Sequence, residues 1–501
     1  MKKYSLFIIG LLALHTQAIA TPAEMATEHY LASIIDQPQK LQHFMSRMPK
    51  GGDLHNHTSG SAFAENMLDY AANDSLCVDR NTFTAYTNNH CQTENLLTTA
   101  VKDADFYDSL IDAWSMQHFH AGKESGHDHF FHAFSKFREI SHHHNGEIIA
   151  EIAERAAEQN ELYVETMLTP DGNESGKLGK ALGWDADLAR LRSNLLAHDF
   201  DKIVASMTTY LDTAEATMRG TLGCGTDQAK PGCRITLRYQ YQVLREQPPE
   251  MVFAQLLAGF EAAGKEKRIV ALNLVMPEDG PISMRDYRLH MRMVAFLHDL
   301  YPTVHVTLHA GELTTEVVPP QGLKFHINDA VNVAHAERIG HGVDIMNEND
   351  YDALLKTMAH QHIMVEINLS SNAGILNIEG ARHPLPLYLK YGVPVALSTD
   401  DEGVTRDTLS TEYARATAAY QFSYPTLKNL ARNSLTYAFL PGTTLWQDDT
   451  YHELATPCHG NTPGTKHPSA HCQTFLASSE KATLQWELEN RFTVFEHGIG
   501  S

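Results

Sequence analysis

The sequence predicts an α/β fold, a (β/α)8 barrel of the TIM type with an N-terminal helical arm and loop insertions. Eight short β-rich segments occur between residues 51 and 401, and each intervening stretch is long enough for at least one helix. Strand–helix alternation repeated in this way is typical of a parallel barrel. The predicted strands cover residues 51–57, 162–168, 235–244, 269–275, 304–310, 338–342, 363–370 and 393–401.

The remaining segments are predicted to surround or precede this barrel. Residues 147–160 carry apolar residues at helical spacing and exemplify the connecting helices. Residues 21–48 are expected to form the helical arm, and residues 49–501 the barrel domain. Loop insertions within that domain are predicted at about 77–130, 171–232 and 443–475.

Residues 1–20 have the pattern of a secretory signal peptide. Lys2 and Lys3 precede an apolar run, and Ala18-Ile19-Ala20 fits a small-x-small cleavage site. The run is too short to span a bilayer comfortably, although an uncleaved anchor is the alternative. No later segment is apolar enough to cross a membrane. We therefore expect a soluble protein in the periplasm or secreted from the cell.

The net charge limits the class of partner. The chain has a formal charge of −22, and removal of residues 1–20 takes away two lysines and no acid, which changes it to −24. Nucleic acids and anionic membranes both favour basic surfaces, so neither is expected to be a partner. The acidic balance fits an enzyme that acts on a small molecule.

The six cysteines form three pairs that are close in sequence. An even number of cysteines in an oxidising compartment suggests disulfide bonds. A zinc site built from these residues is less favoured, because no C-x-x-C motif occurs. Proximity favours the pairs Cys77–Cys91, Cys224–Cys233 and Cys458–Cys472.

Two histidines end the first predicted strand, in the segment GGDLHNHTSG at residues 51–60. Residues i and i+2 of a strand point to the same face, so His55 and His57 can approach one metal ion. Such a pair alone is weak evidence in a chain that contains 30 histidines. Whether the pair can bind a metal ion therefore depends on the residues at the ends of the other predicted strands.

Further candidate ligands and acids follow three later strands. VHVTLHAGE contains His309 and Glu312, RIGHG contains His341, and VALSTDD ends with Asp400 and Asp401. Catalytic groups of such barrels collect at the C-terminal ends of the strands. Three imidazoles and one carboxylate suit a catalytic Zn²⁺ that keeps an open position for water, and we expect one ion per chain. The expected ligands are His55, His57, His309 and Asp400.

The order of these motifs resembles that of a known family. HNH after a strand, TLHAGE, ERIGHG and STDD are similar to the adenosine deaminases of the amidohydrolase superfamily. The N-terminal arm and MPKGGDLH look more like the secreted adenosine-deaminase-related growth factor branch. The resemblance covers most of residues 48–440. It implies hydrolysis of adenosine or 2′-deoxyadenosine to inosine or deoxyinosine, with release of ammonia.

The resemblance also implies a role for each matched residue. Glu312 would donate a proton to purine N1, and His341 would position the attacking water and help to deprotonate it. Asp401 would hold N7, and Gly311 within HAGE would contact the substrate. The implied catalytic residues are therefore Glu312, His341 and Asp400, and the implied zinc ligands are the four residues named above.

Two implied substrate contacts depart from the family pattern. Ser59 stands where the family commonly has an acid that contacts the ribose 5′-hydroxyl, and a serine would make that hydrogen bond without charge assistance. Met276, in NLVMPEDG, stands near a glycine that lies close to purine N3, so its side chain would change the pocket. Both residues are predicted to line the substrate site, and they leave the exact nucleoside open.

Several other polar and aromatic residues are predicted to be structural. The histidines of residues 127–132 and 142–144 are expected at the surface or in packing. Glu278 and Asp279 are expected to be solvated loop acids rather than ribose contacts. A set of aromatic residues at helical spacing leaves open an apolar wall over a flat base or ordinary core packing, namely Phe130, Phe134 and Phe137.

The predicted function is therefore zinc-dependent deamination of adenosine or a close relative outside the cytoplasm. One alternative is the same zinc site acting on another aminated ring or an amide. A second is an extracellular growth-factor-like binding protein with incidental deaminase activity, and a third is a histidine-rich metal scavenger that binds several ions. If the protein is a homodimer, as in the growth factor branch, the arm is the expected contact.

Overall fold

A computed structural model describes residues 21–71, 74–87, 91–122 and 124–499, and in it eight parallel strands form a nearly closed barrel surrounded by helices. The predicted (β/α)8 fold is confirmed. The signal peptide prediction concerns residues 1–20 and lies outside the described residues. The strands are β1 (Gly51–His57), β2 (Cys77–Val78), β3 (Ala85–Tyr86), β4 (Glu161–Leu168), β5 (Thr236–Leu244), β6 (Ile269–Val275), β7 (His305–Ala310), β8 (Arg338–His341), β9 (Met364–Ile367) and β10 (Val395–Leu397).

The barrel consists of β1 and β4–β10, in the order of the chain, with each strand pairing in parallel with the next. β2 and β3 form a separate antiparallel hairpin. The first six predicted strands match the observed ones within a residue or two. The last two are shorter than predicted, because helix geometry begins at Leu369 after β9 and the backbone after β10 leaves the extended conformation, with a φ of +63° at Asp400.

The first and last barrel strands meet through a short contact. The amide of Asp400 donates to the carbonyl of His55 at 2.8 Å, and the amide of His57 donates to the carbonyl of Asp400 at 3.1 Å. The carboxylate of Asp53 also accepts a hydrogen bond of 2.5 Å from the hydroxyl of Thr399. These bonds close the barrel next to the two histidines of β1.

Helices cover the outside of the barrel and both of its ends. Those of the described residues are α1 (Pro22–Ile34), α2 (Pro38–Arg47), α3 (Thr58–Ser61), α4 (Ala64–Tyr70), α5 (Leu97–Ala100), α6 (Ala104–Trp114), α7 (Gly126–His143), α8 (Asn145–Glu158), α9 (Glu174–Leu182), α10 (Leu188–Leu196), α11 (Phe200–Thr221), α12 (Pro249–Ala263), α13 (Pro281–Leu300), α14 (His326–Asn332), α15 (Tyr351–His360), α16 (Leu369–Leu376), α17 (Leu385–Tyr391), α18 (Glu402–Thr405), α19 (Leu409–Tyr420), α20 (Tyr424–Thr436), α21 (Ala470–Ser478) and α22 (Glu480–Ile499). None of these helices is long and apolar enough to cross a membrane.

The N-terminal residues form two helices that pack on the barrel. Pro22 starts α1, and the hydroxyl of Thr21 caps it by accepting a hydrogen bond of 3.1 Å from the amide of Glu24. The apolar faces of α1 and α2 are buried, with α1 against α22 and α2 against α19. The first helices of the described chain are thereby joined to its last one.

The three predicted disulfide bonds are confirmed: Cys77–Cys91, Cys224–Cys233 and Cys458–Cys472. The third lies in a small apolar core of its own, between β10 and the C-terminus. Trp446 and Trp486 belong to the same core. The bond therefore closes a loop within a segment that has its own apolar core.

A cavity of about 790 Å³ lies at the N-terminal end of the barrel. Its wall includes Lys267, His305, Phe439 and Lys481, which lie at or near the first residues of the central strands. The ring of Phe439 stacks on that of His305 at 4.3 Å and contributes to closing this end of the barrel. The cavity is separate from the opposite end, where the strands finish.

Removal of the third disulfide bond should destabilise the protein. We expect Cys458→Ser combined with Cys472→Ser to lower the free energy of unfolding by about 3 kcal/mol, since the bond closes a loop with a sequence separation of 14. Urea denaturation followed by circular dichroism measures the change. The same double substitution at Cys224 and Cys233, which close a shorter loop at a partly exposed site, should cost less. Equal stability of the parent and both variants would contradict this expectation.

Candidate metal and active site

The C-terminal ends of β1, β7 and β10 bring four predicted ligands together. Nε2 of His309 lies 3.0 Å from Nε2 of His55 and 3.2 Å from Nε2 of His57. Oδ1 of Asp400 lies 3.3 Å from Nε2 of His57 and 3.8 Å from Nε2 of His55. All four side chains are buried. The structure thus places every predicted ligand in one cluster.

Each of the three imidazoles is oriented by a hydrogen bond on its far side. Nδ1 of His55 contacts Oε2 of Glu366 at 2.6 Å. Nδ1 of His309 contacts Oδ1 of Asn273 at 2.9 Å, and Nδ1 of His57 contacts Oε1 of Gln242 at 3.4 Å. Because all three partners are acceptors, each Nδ1 carries the ring proton and each Nε2 presents a lone pair to the cluster.

This donor arrangement fits a divalent metal ion. Lone pairs of His55 and His309 that face each other at 3.0 Å repel unless a cation lies between them. Four ligands at the usual metal–nitrogen distance of about 2.0–2.1 Å in a tetrahedron have donor atoms about 3.3 Å apart. The observed separations bracket this value, and all the ligand atoms lie within 4.8 Å of one another.

Three further predicted residues line the same cluster. Nε2 of His341 lies 3.7 Å from Oδ2 of Asp400, and its Nδ1 lies 3.6 Å from Oε1 of Glu312. Asp401 follows Asp400 at the start of α18, and its Oδ1 is buried without a hydrogen-bond partner among the described residues. A Cβ on Gly60 would lie 1.8 Å from that oxygen, so the glycine of the TSG segment makes room for this carboxyl group.

The pKa values of the two acids beside the cluster are raised by burial. Burial, together with the charges of Asp400 and Glu278, raises the pKa of Glu312 well above its usual value. Burial and the neighbouring Asp400 likewise raise the pKa of Asp401. These shifts favour the protonated, hydrogen-bond-donating forms of Glu312 and Asp401, whereas the neighbouring histidines, against the effect of burial, keep the pKa of Asp400 below its usual value.

Glu278 was expected to be solvated, but that expectation is wrong, since only 1% of its surface is exposed. Its carboxylate accepts hydrogen bonds from the amides of Gly311 at 3.1 Å and Glu312 at 2.8 Å, and it contacts Nδ1 of His326 at 2.5 Å. Burial opposes its ionisation, but His326 keeps the pKa of Glu278 below its usual value. Glu278 therefore fixes the backbone that carries Glu312.

The segment HAGE turns sharply at Gly311, which has a φ of +76°. A Cβ at this position would also lie 2.5 Å from Oδ1 of Asp344, so both the conformation and the space require glycine. The amide of Gly311 donates to Glu278. Gly311 thus places Glu312 beside the cluster.

The two residues that depart from the family pattern lie at the same end of the barrel. Ser59 is half-buried in α3, directly after β1. Met276 directly follows β6, is 38% exposed and has a φ of +78°, a conformation that favours glycine. Three residues on, Asp279 contacts Nε2 of His127 at 3.1 Å, which ties this loop to the first turn of α7.

Of the three aromatic residues singled out in α7, two are core residues and one is partly exposed. Phe130 and Phe137 are buried in the main core, as ordinary packing requires. Phe134 lies between them, with its ring centre 5.4 Å from each neighbour, and stays partly exposed.

Sequence reasoning did not identify the residues that orient the imidazoles. Glu366 and Asn273 are the conspicuous polar residues in the otherwise apolar strands β9 and β6, and Gln242 lies in β5. A lone polar residue in a buried strand is a detectable signal, because burial is costly unless a partner is present.

Comparison with known proteins gives one family. The family model described as adenosine deaminase matches residues 104–445, which is more than half of the chain. An adenosine deaminase from Escherichia coli is 35% identical over 137 residues, which cover 27% of this chain and 38% of that relative. The matched residues of the family model begin after β1, so the match does not cover His55 and His57, which the sequence predicts and the structure places in the cluster.

Solved structures share the fold. The N6-methyl-AMP deaminase from Arabidopsis thaliana superposes with a TM-score of 0.52 at 20% identity, covering 80% of this chain and 94% of that one. An amidohydrolase from Burkholderia ambifaria with bound zinc gives a TM-score of 0.53 at 15% identity, covering 92% of this chain and 94% of that one. At these identities the likeness is one of fold.

Metal analysis tests the cluster directly. We expect the purified protein to hold one tightly bound divalent ion per chain, and His309→Gln to lose it, because one of the four ligands is removed. Inductively coupled plasma mass spectrometry measures the metal content.

His305→Gln is the matched control, since His305 begins the same strand but lies at the opposite end of the barrel. Its metal content should equal that of the parent. Several ions per chain, or retention of the ion in His309→Gln, would contradict the four-ligand site.

Proposed function

The chain belongs to the adenosine deaminase family, and from this premise we propose that it is a zinc-dependent enzyme that deaminates adenosine or a close 6-aminopurine nucleoside outside the cytoplasm. One observation carries the proposal: two buried carboxyl groups with raised pKa values, Glu312 and Asp401, flank a cluster of four metal ligands. A purine ring offers acceptor nitrogens, which need protonated partners.

The two neutral acids match the hydrogen-bonding pattern of an aminopurine. N1 and N7 are both acceptors, and an ionised carboxylate would repel them, whereas a protonated carboxyl group donates. Glu312 would donate to N1 and Asp401 to N7. In their protonated forms, Glu312 and Asp401 would therefore orient the six-membered ring with C6 toward the metal ligands.

The donor set of His55, His57, His309 and Asp400 would hold zinc. Bound zinc supplies the nucleophile by lowering the pKa of a water molecule. A protein of the same fold from Burkholderia ambifaria contains zinc, which supports this choice of metal.

The remaining steps use the side chains of this protein. Glu312 gives its proton to N1, which makes C6 electrophilic, and water adds to C6. The second proton of the added water passes from the C6 hydroxyl to the amino group, the C6–N bond breaks, a C6 carbonyl forms and ammonia leaves. One water is consumed for each ammonia released; N1 of the product keeps the proton from Glu312, and a proton from the attacking water restores the acid.

The location rests on the disulfide bonds and the N-terminal sequence. Disulfide bonds persist in oxidising compartments and are rare in the cytosol. Three of them occur in the described part of the chain, all between cysteines close in sequence. Together with the signal peptide pattern of residues 1–20, they support a periplasmic or secreted protein.

Met276 favours a second candidate, deamination of a different aminated ring. Its side chain stands at the end of β6 in a conformation suited to glycine, at the site where a purine would approach the backbone. A ring with a different edge, or a base without ribose, would then fit better than adenosine.

Substitution of Glu312, with Glu316 as the control position, tests the proposed reaction. We expect Glu312→Gln to lower kcat for adenosine by about 100-fold or more, since an amide cannot transfer a proton to N1. Ammonia release from adenosine, 2′-deoxyadenosine, adenine and AMP is the measurement, before and after zinc chelation.

Glu316→Gln, the same change at an exposed position in the loop that follows, should leave kcat unchanged. Zinc-independent turnover, or full activity of Glu312→Gln, would contradict the mechanism. Turnover confined to adenine would select the second candidate.

Met276→Gly separates the strained backbone from the side chain. Glycine adopts a φ of +78° without strain, so we expect the free energy of unfolding to rise by about 1 kcal/mol. Removal of the side chain should also raise kcat/KM for adenosine by roughly tenfold. Thermal denaturation and initial rates measure the two effects.

Met276→Ala is the matched control, because it removes the side chain but keeps the strained conformation. It should share the gain in kcat/KM without the gain in stability. Unchanged selectivity in both variants would show that Met276 does not determine the substrate.

A further inference from the structure

A chain of hydrogen bonds leads from His341 away from the metal ligands. Nδ1 of His341 lies 2.9 Å from Nδ2 of Asn372, and Oδ1 of Asn372 lies 3.0 Å from Nε2 of His383. Nδ1 of His383 lies 3.1 Å from the amide nitrogen of Leu385, at the start of α17. His383 and Asn372 are buried, and neither was singled out from the sequence.

The direction of these bonds is fixed at their far end. A backbone N–H can only donate, so the Leu385 amide makes Nδ1 of His383 an acceptor. Burial lowers the pKa of His383 to about 4, so the ring is neutral near pH 7. Its single ring proton therefore lies on Nε2.

The position of the proton on His383 in turn fixes the orientation of the Asn372 amide and the hydrogen bond to His341. The Nε2–H group of His383 donates to Oδ1 of Asn372, which turns the Nδ2 amide group of Asn372 toward His341. A second amide, that of Asn368, also approaches Nδ1 of His341, at 3.4 Å. Both amides are donors, so Nδ1 of His341 presents a lone pair.

The opposite orientation is excluded by the backbone. If the Asn372 amide were reversed, its Nδ2 group would face Nε2 of His383, whose proton would then lie on Nδ1. That proton would point at the N–H of Leu385, 3.1 Å away. Two donors would face each other in a buried site, which is costly.

We propose that the Leu385 amide, His383 and Asn372 form a relay that fixes His341 as its Nε2–H tautomer. Nε2 of His341 is fully buried, has no hydrogen-bond partner among the described residues and lies on the side of Asp400. On the proposed function, this N–H group donates to the attacking water and orients it. His341 is then not the base that deprotonates that water, in contrast to the role implied by the family resemblance.

His383 and Asn372 act through His341 and are positioning residues. A purely structural role would allow any change that preserves packing. The relay instead requires a donor at His383 Nε2 and a donor at Asn372 Nδ2. Asn372→Asp preserves shape but accepts hydrogen bonds from both histidines, so it should draw the His341 proton to Nδ1.

The first readout does not depend on activity. Nitrogen-15 NMR of the purified full-length protein with labelled histidines distinguishes the two tautomers, and the spectrum of His341→Gln assigns the signal. We expect the Nε2–H form in the parent and in Asn377→Asp, a matched control at an exposed site at the end of α16. Asn372→Asp should show the Nδ1–H form.

Kinetics provides the second readout. We expect Asn372→Asp to lower kcat by about 100-fold with KM changed less than about threefold, since substrate contacts remain. His383→Gln retains a donor toward Asn372 and should keep the tautomer and most of the activity, whereas His383→Leu should lose both.

An Nδ1–H signal in the parent, or an unchanged tautomer in Asn372→Asp, would overturn the relay. If Asn372→Asp does not fold, the contrast between His383→Gln and His383→Leu decides the same question. If no substrate is turned over, the proposed function fails, but the tautomer measurement still tests the relay.

Discussion

The carboxylate of Glu366 lies inside the barrel between a cation and a metal ligand, and the geometry of the site depends on it. Its Oε1 lies 2.6 Å from Nε of Arg338 in an ion pair, and its Oε2 lies 2.6 Å from Nδ1 of His55. Arg338 in turn pairs with Glu165 at 2.5 Å. Buried charges are costly unless each has partners, and here the partners extend from the bottom of the barrel to the ligands. Barrels of this type usually have an apolar interior. In this barrel Glu165, Arg338 and Glu366 form a buried chain of ion pairs, and this chain orients the imidazole of His55.

The ring of His55 needs space beside β8, and a glycine in that strand provides it. A Cβ at Gly340 would lie 2.5 Å from the ring of His55, so the glycine in RIGHG leaves room for that ring beside β8. The next residue is His341, whose ring lies 4.9 Å from that of His55. The short strand β8 therefore carries the cation Arg338 at its start, Gly340, which leaves room for His55, within it, and the site residue His341 at its end.

The sequence was sufficient to predict the barrel, the residues that gather in the candidate metal cluster and the disulfide bonds. Each of these depends on local rules: strand alternation, the gathering of strand ends, and proximity between cysteines. Glu278 and the far ends of β9 and β10 could not be predicted, because they depend on contacts between distant segments. The burial of Glu278 follows from His326 and the HAGE backbone, which lie more than thirty residues away in the chain. Glu366 and Asn273 carried a signal, namely polar residues in apolar strands, but their partners are defined only in three dimensions.

The contact between β1 and β10 has a consequence for the maturation of the protein. Two ligands come from the first barrel strand and another follows the last, so the complete donor set exists only after the ring of strands has closed. On the proposed function, a ribosome must have released nearly the whole chain before all four residues can bind the ion. If the chain crosses a membrane unfolded, it crosses without its metal. The compartment in which it folds must then supply the ion, and scarcity there would leave intact but inactive molecules.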